Sequence, residues 1–116
     1  MEAIRPIPKR LLNHTVNRHK VAEKDRMGKV ILDTGITIKH VRIEPSSKVI
    51  RDKSGAEIQL AATMFYDCRN SEPRNVQFAV DDIINFSGQC FSVQAVEPLY
   101  DNNRLHHYEL GMIRHA

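Results

Sequence analysis

Tryptophan is absent from this 116-residue chain, and Phe and Tyr together make up only 6% of it. Proteins that hold single strands by stacking bases need an aromatic platform, and this supply of rings is thin for one. Cysteine is scarce too. Cys68 and Cys90 stand far apart in no CxxC spacing, so they read as reduced thiols of a cytosolic protein, each filling core space; a disulfide between them is unsupported. No apolar run approaches the ~18–20 residues of a membrane span, and the N-terminus shows no long apolar signal core, so no membrane partner is expected. Phosphate loops of the GxxxxGK[ST] or GxGxxG type and a GxSxG elbow are also missing, which removes the common nucleotide-binding and hydrolase chemistries.

The composition that is present is ordinary for a globular chain, with 41% hydrophobic and 27% charged residues. One domain is expected at this length. The net charge of +3 is unevenly spread. Residues 1–29 carry eight Lys or Arg against three acidic side chains, and the remainder carries nine basic against eleven acidic ones. An N-terminal basic excess suits acidic protein surface or phosphate, or simply a solvated flank.

Along the chain, Pro6 and Pro8 stiffen an extended arm over residues 1–14, with room for one helical turn near Lys9 to Asn13. Thr15 to Ala22 reads as a strand, and Lys29 to Ile43 as its hairpin partner. Ile36 and Ile38 share one parity while Val41 and Ile43 share the other, so a bulge is expected near Lys39-His40, with His40 structural. Pro45 to Ala56 is long for a hairpin connection. Val49 and Ile50 inside it suit either a loop packed on a partner or a short extra hairpin ending at Ser54-Gly55. Glu57 to Asp67 alternates at period two and is taken as a strand, although Leu60, Ala61, Ala62 and Met64 also favour helix. Asp82–Phe86, Phe91–Leu99 and Leu105–Ile113 then form a meander, turned at Ser87-Gly88-Gln89 and Asp101-Asn102-Asn103. The expected fold is all-β: a small antiparallel barrel of about six strands over residues 15–116, with the N-terminal arm and one long loop attached.

Leu105-His106-His107-Tyr108-Glu109 invites a metal hypothesis. Neighbours on a regular strand point to opposite faces, so His106 and His107 do not converge, and His107 with Glu109 falls short of a zinc ligand set. The plainer expectation is that His106 packs beside Tyr108 while His107 and Glu109 pair at a surface or subunit contact. Asp81 and Asp82 diverge in the same way, and no serine or thiol has a base near it in the sequence. Neither an enzyme nor a cofactor is expected. The rival to a structural role is an OB-like barrel binding nucleic acid non-specifically.

The run DDIINFSGQCFSVQAVEPLYDNNRLHHYELGM resembles the small minor capsid proteins of tailed bacteriophages, a family of head-completion and head–tail connector proteins. The likeness rests on an Asp-containing strand ending at Phe86 and Gly88, on Phe91-x-Val93, on the Val96–Asp101 entry to the turn, and on His106–Glu109. The proline-bearing arm, Val41-Arg42-Ile43 and Met64-Phe65-Tyr66-Asp67 also look similar. Two Asp residues stand where Gly-Asp is expected, and Asn17-Arg18-His19 where an aromatic is expected. The resemblance implies a stopper: a homo-oligomeric ring between the portal or adaptor protein and the tail-completion protein, in a virion built in the bacterial cytoplasm. It also implies a loop that can meet packaged DNA. Lys48, Val49, Ile50, Arg51 and Lys53 are the candidate channel loop, and Arg5, Lys9, Arg10, His107 and Glu109 the candidate subunit or portal contacts.

Overall fold

The structure is a computed structural model that describes residues 5–52 and 54–115. It is all-β among those residues, apart from one 3-10 turn at Lys9–Leu11. The strands are β1 (His14–His19), β2 (Val21–Lys24), β3 (Val30–Leu32), β4 (Ile36–Pro45), β5 (Val49–Arg51), β6 (Glu57–Gln59), β7 (Ala62–Asp67), β8 (Ile83–Phe86), β9 (Gln89–Asp101) and β10 (Arg104–Arg114). Six of them close into an antiparallel ring in the order β1-β4-β7-β10-β9-β8, with β8 pairing back onto β1. Two two-stranded sheets, β2-β3 and β5-β6, stand apart from the ring.

The ring forms because alternate residues of its strands are apolar. Val16, Ile38, Val41, Met64, Tyr66, Ile84, Val93, Leu110 and Met112 are each at most 1% exposed and fill its interior. The phase slip in β4 is resolved as expected. Thr15 pairs with Lys39 and His14 with Val41, which leaves His40 as the extra residue at φ +58°. That bulge lets both Ile38 and Val41 face inward. Tyr66, Phe78 and Tyr108 pack with ring centroids 5.2–6.2 Å apart. Phe78 comes from the loop between β7 and β8, so this loop lies across the ring with Val76 buried beneath it.

Two stretches differ in detail from the sequence reading, and a third takes one of the two forms expected of it. The first hairpin is broken: β1 pairs with β4 in the ring, while β2 and β3 continue outward as a separate ribbon. The break sits where Lys20 and Asp33 bond through the Lys20 amide to Asp33 Oδ1 (3.0 Å) and the Asp33 amide to the Lys20 carbonyl (2.9 Å). Gly35 is required beside it, since its φ is +78° and a Cβ would lie 2.6 Å from the His19 ring. The stretch from Glu57 to Asp67 is two strands, parted at Leu60-Ala61, because Leu60 turns in to pack on the ring. The long connection is a hairpin, β5-β6, with Ser54-Gly55 in its turn. In the closing meander, Ser87 and Gly88 both have positive φ, which matches a two-residue hairpin turn between Phe86 and Gln89.

Candidate functional site

Each strand of the closed ring has a neighbour on both sides, although β8 covers β9 only from Gln89 to Ser92, and what is attached to the ring offers further surface for contacts with other molecules. The attachments are the arm and the two hairpins.

The arm is strapped to the ring. Its prolines at 6 and 8 keep it extended, which leaves the peptide groups around Ile7 free for partners outside the arm. The Ile7 amide donates to Asp67 Oδ1 (2.9 Å), and Asn70 Nδ2 donates to the Ile7 carbonyl (2.8 Å). Asp67 is fully buried, and its second oxygen accepts the amides of Arg69 (3.0 Å) and Asn70 (2.8 Å). Three main-chain donors therefore satisfy one interior carboxylate. Leu12 is 1% exposed and pins the inner end of the arm. Leu11 is exposed, and with Ile7, Leu12, Arg42, Glu44 and Phe65 it lines a shallow groove of about 310 Å³. The side chains of Arg5, Lys9 and Arg10 face solvent.

His106 corrects the strand argument given for it. Leu105 pairs with Tyr100 and His107 with Leu99, so His106 is an extra residue in β10. The bulge brings the two rings together: His106 Nδ1 lies 2.7 Å from His107 Nδ1. His106 meets His107 and the Arg5 carbonyl, with Nε2 2.7 Å from that oxygen. His107 Nε2 contacts Glu109 Oε2 at 2.9 Å, and Phe65 stacks on His107 at 6.4 Å between centroids. No cluster of three or more His, Cys, Asp or Glu is placed to hold a metal ion among the described residues.

The β5-β6 hairpin lies against the outside of the ring. Lys48 Nζ is 3.9 Å from Glu97 Oε1, and the Leu60 amide donates to the Lys48 carbonyl (2.8 Å). Leu60 itself is 5% exposed and fits a notch at Gly111, where an added Cβ would come within 2.8 Å of Leu60 Cδ1. Ile50 faces the same notch, together with Ala95 and Thr63. Val49 is 55% exposed. Arg51 is exposed, although its Nη1 donates to the Gly55 carbonyl (2.8 Å) and its Nη2 is 3.4 Å from Glu57 Oε1. The Asp52 carboxylate closes the turn by accepting from Ser54 and Ala56, and these bonds, that of the Ser54 hydroxyl foremost, hold its pKa below the ordinary value of 3.8. Lys53 lies outside the described residues.

Lys48 and Ile50 of the hairpin line one notch together with Glu97 and Glu109, so the hairpin meets the Glu109 side of β10. Arg5 joins His107 and Glu109 through His106, whereas Lys9 and Arg10 stand apart on the turn. Lys48, Val49 and Arg51 share the exposed hairpin, and Ile50 looks inward. Asp67, Asn70 and Leu60 are the anchoring residues that the sequence reading missed. An Asp followed within four residues by Asn and Ser was the available signal for the first two, because such side chains commonly cap their own turn.

A family model described as minor capsid protein matches residues 8–112. The chain belongs to the minor capsid protein family. No curated protein and no solved structure matches it. Membership points to a structural, non-enzymatic part in a phage particle, where the chain associates with other virion components. The matched region takes in both hairpins and the His106–Glu109 segment, while Arg5 and Ile7 precede it. Among the described residues, no helix is long and apolar enough to cross a membrane.

Proposed function

We propose that this minor capsid protein completes the phage head: copies form a ring between the portal or adaptor protein and the tail-completion protein, and the ring helps retain packaged DNA. The observation that carries the reading is the closed β-ring with two hairpins standing outside it. A ring of subunits needs heterologous contacts, one surface meeting a different one on the next copy. The appended pieces, which stand outside the ring, are suited to supply them.

The β2-β3 ribbon is suited to such a contact. Every residue from Val21 to Ile31 is exposed, including Val21, Val30 and Ile31 at 40% and Met27 at 93%. An isolated two-stranded ribbon is marginal in water, and packing on a neighbour would stabilise it. In this reading residues 1–14 are an arm held on the chain's own ring that presents Arg5, Lys9 and Arg10 to a neighbouring subunit or the portal, and residues 15–116 are one small β-barrel domain. The β5-β6 hairpin is the channel element, with Lys48, Arg51 and Lys53 toward phosphate and Val49 toward the next hairpin. The OB-like alternative gains nothing from the aromatic residues, since only Tyr100 among the seven is exposed.

The test is removal of the whole hairpin, residues 48–59, from an infectious genome. Heads should fill with DNA and then lose it before tails attach. Normal DNA retention by such particles would remove the hairpin from the mechanism.

A further inference from the structure

Each chain carries a protruding apolar tip and an apolar groove, and within one chain the two are apart. The tip is the turn of the β2-β3 ribbon. Asp25 Oδ1 accepts the Met27 amide (2.9 Å) and the Lys29 amide (2.8 Å), and the Asp25 amide donates to the Lys29 carbonyl (2.9 Å). These bonds fix Met27 at the end of the ribbon, 93% exposed, although its side chain is apolar. The groove is the one of about 310 Å³ beside the arm, lined by Ile7, Leu11, Leu12 and Phe65, with Arg42 and Glu44 paired to each other at 2.7 Å. It has room for a flexible side chain of methionine's size. The ribbon leaves the ring just before Ile36, and the groove begins six residues on at Arg42, about 20 Å along β4.

We propose that the Met27 tip of one copy seats in the arm groove of the next copy. This names the receiving surface for the ribbon, and so rests on the reading that copies meet through unlike surfaces. Charge selects the face that meets the groove. Cross-strand partners share a face, so Glu23 lies beside Ile31, and Lys24 lies beside Val30 on the opposite face. The turn that supplies Leu11 also presents Lys9 and Arg10, and neither these nor Glu23 has an ion-pair partner among the described residues. The Ile31 face therefore brings an apolar side chain and a carboxylate to an apolar groove with a basic flank. Arg26 and Lys29 remain beside Met27, where the groove offers Glu44. A tip in a groove is a heterologous contact, which repeats from copy to copy around a ring. The exposed run from Val21 to Ile31 is eleven residues, against about 20–30 a side in a standard interface. One contact is therefore weak, and closure of the ring, where each copy is held on both sides, makes it lasting.

The test uses assembled phage particles grown with photo-methionine, a diazirine close to methionine in shape, and illuminated intact. Covalent dimers and higher species of this chain should form, and mass spectrometry should join the peptide holding Met27 to those holding Leu11 or Phe65. Met64 and Met112 are fully buried inside the ring, so their cross-links stay within one chain. Leu11→Arg changes an exposed position and sets a cation in the groove, and it should lower the Met27 cross-link about tenfold. No cross-linked copies, Met27 joined only to other proteins, or an unchanged yield in Leu11→Arg would overturn the contact. Should that variant give no particles, the native peptide map decides alone. Cross-linked copies lying on the shell would uphold the contact and sink head completion; copies at the head–tail junction without this cross-link would sink the contact alone.

Discussion

Asp67 shows how much can rest on a single side chain. Its carboxylate is fully buried and binds the amides of Ile7, Arg69 and Asn70, so it joins the arm, the end of β7 and the following turn. Asp67→Ala should lower stability by about 3 kcal/mol in urea denaturation, because it leaves interior donors unpaired, and it should also free the arm to protease. Tyr66 makes a second case. Burial raises its pKa above the ordinary 10.0, and its hydroxyl donates to the Pro73 carbonyl. A raised folded-state pKa means stability that is present below about pH 10 and lost as the pH climbs toward the folded value. Tyr66→Phe should therefore be less stable than the native chain at pH 7, with the gap narrowing above about pH 10 in matched denaturant titrations. Such interior residues were legible in part. The period-two run through Met64 and Tyr66 gave their burial, yet nothing in it showed that Asp67 would receive the arm, since that contact spans sixty residues of chain.

At the scale of elements, the sequence marked turns better than it marked where strands leave the sheet. Gly88 and the phase slip at His40 each carry a local backbone requirement, and both appear as read. The break at Lys20 and Asp33 depends on partners distant in sequence, including the Lys20 Nζ contacts to both Asp82 oxygens at 2.9 and 3.0 Å, so no local pattern announced it. The bulge at His106 was missed for the same reason. Among the described residues the strands β5 and β6 pair with each other and with no ring strand, and the hairpin's seat on the ring depends on Leu60 entering the space over Gly111. Gly111→Ala should push Leu60 aside and cost about 1 kcal/mol by overpacking, seen as a small fall in thermal midpoint and faster proteolysis within residues 48–59. The ring strands should remain protected from hydrogen exchange in that variant.

For the whole molecule, the long dimension of 54 Å against 31 and 24 Å gives the appended pieces reach beyond a small β-body. Sequence pattern conveyed the all-β class and the six strands of the ring, but not the four strands of the two hairpins, because alternation reports burial and burial is what a ring of strands needs. It could not convey how copies meet, because exposed residues such as Val21, Met27 and Ile31 carry no periodic record of a partner. Family membership supplies the virion, and head completion is the proposal built on it. Reconstruction of the intact particle by electron cryomicroscopy, with this chain located in the density, tests that proposal most directly. The account predicts a ring of copies coaxial with the portal at the head–tail junction, with the β5-β6 hairpins turned toward the axis; copies spread over the icosahedral shell, and none at the junction, would contradict it.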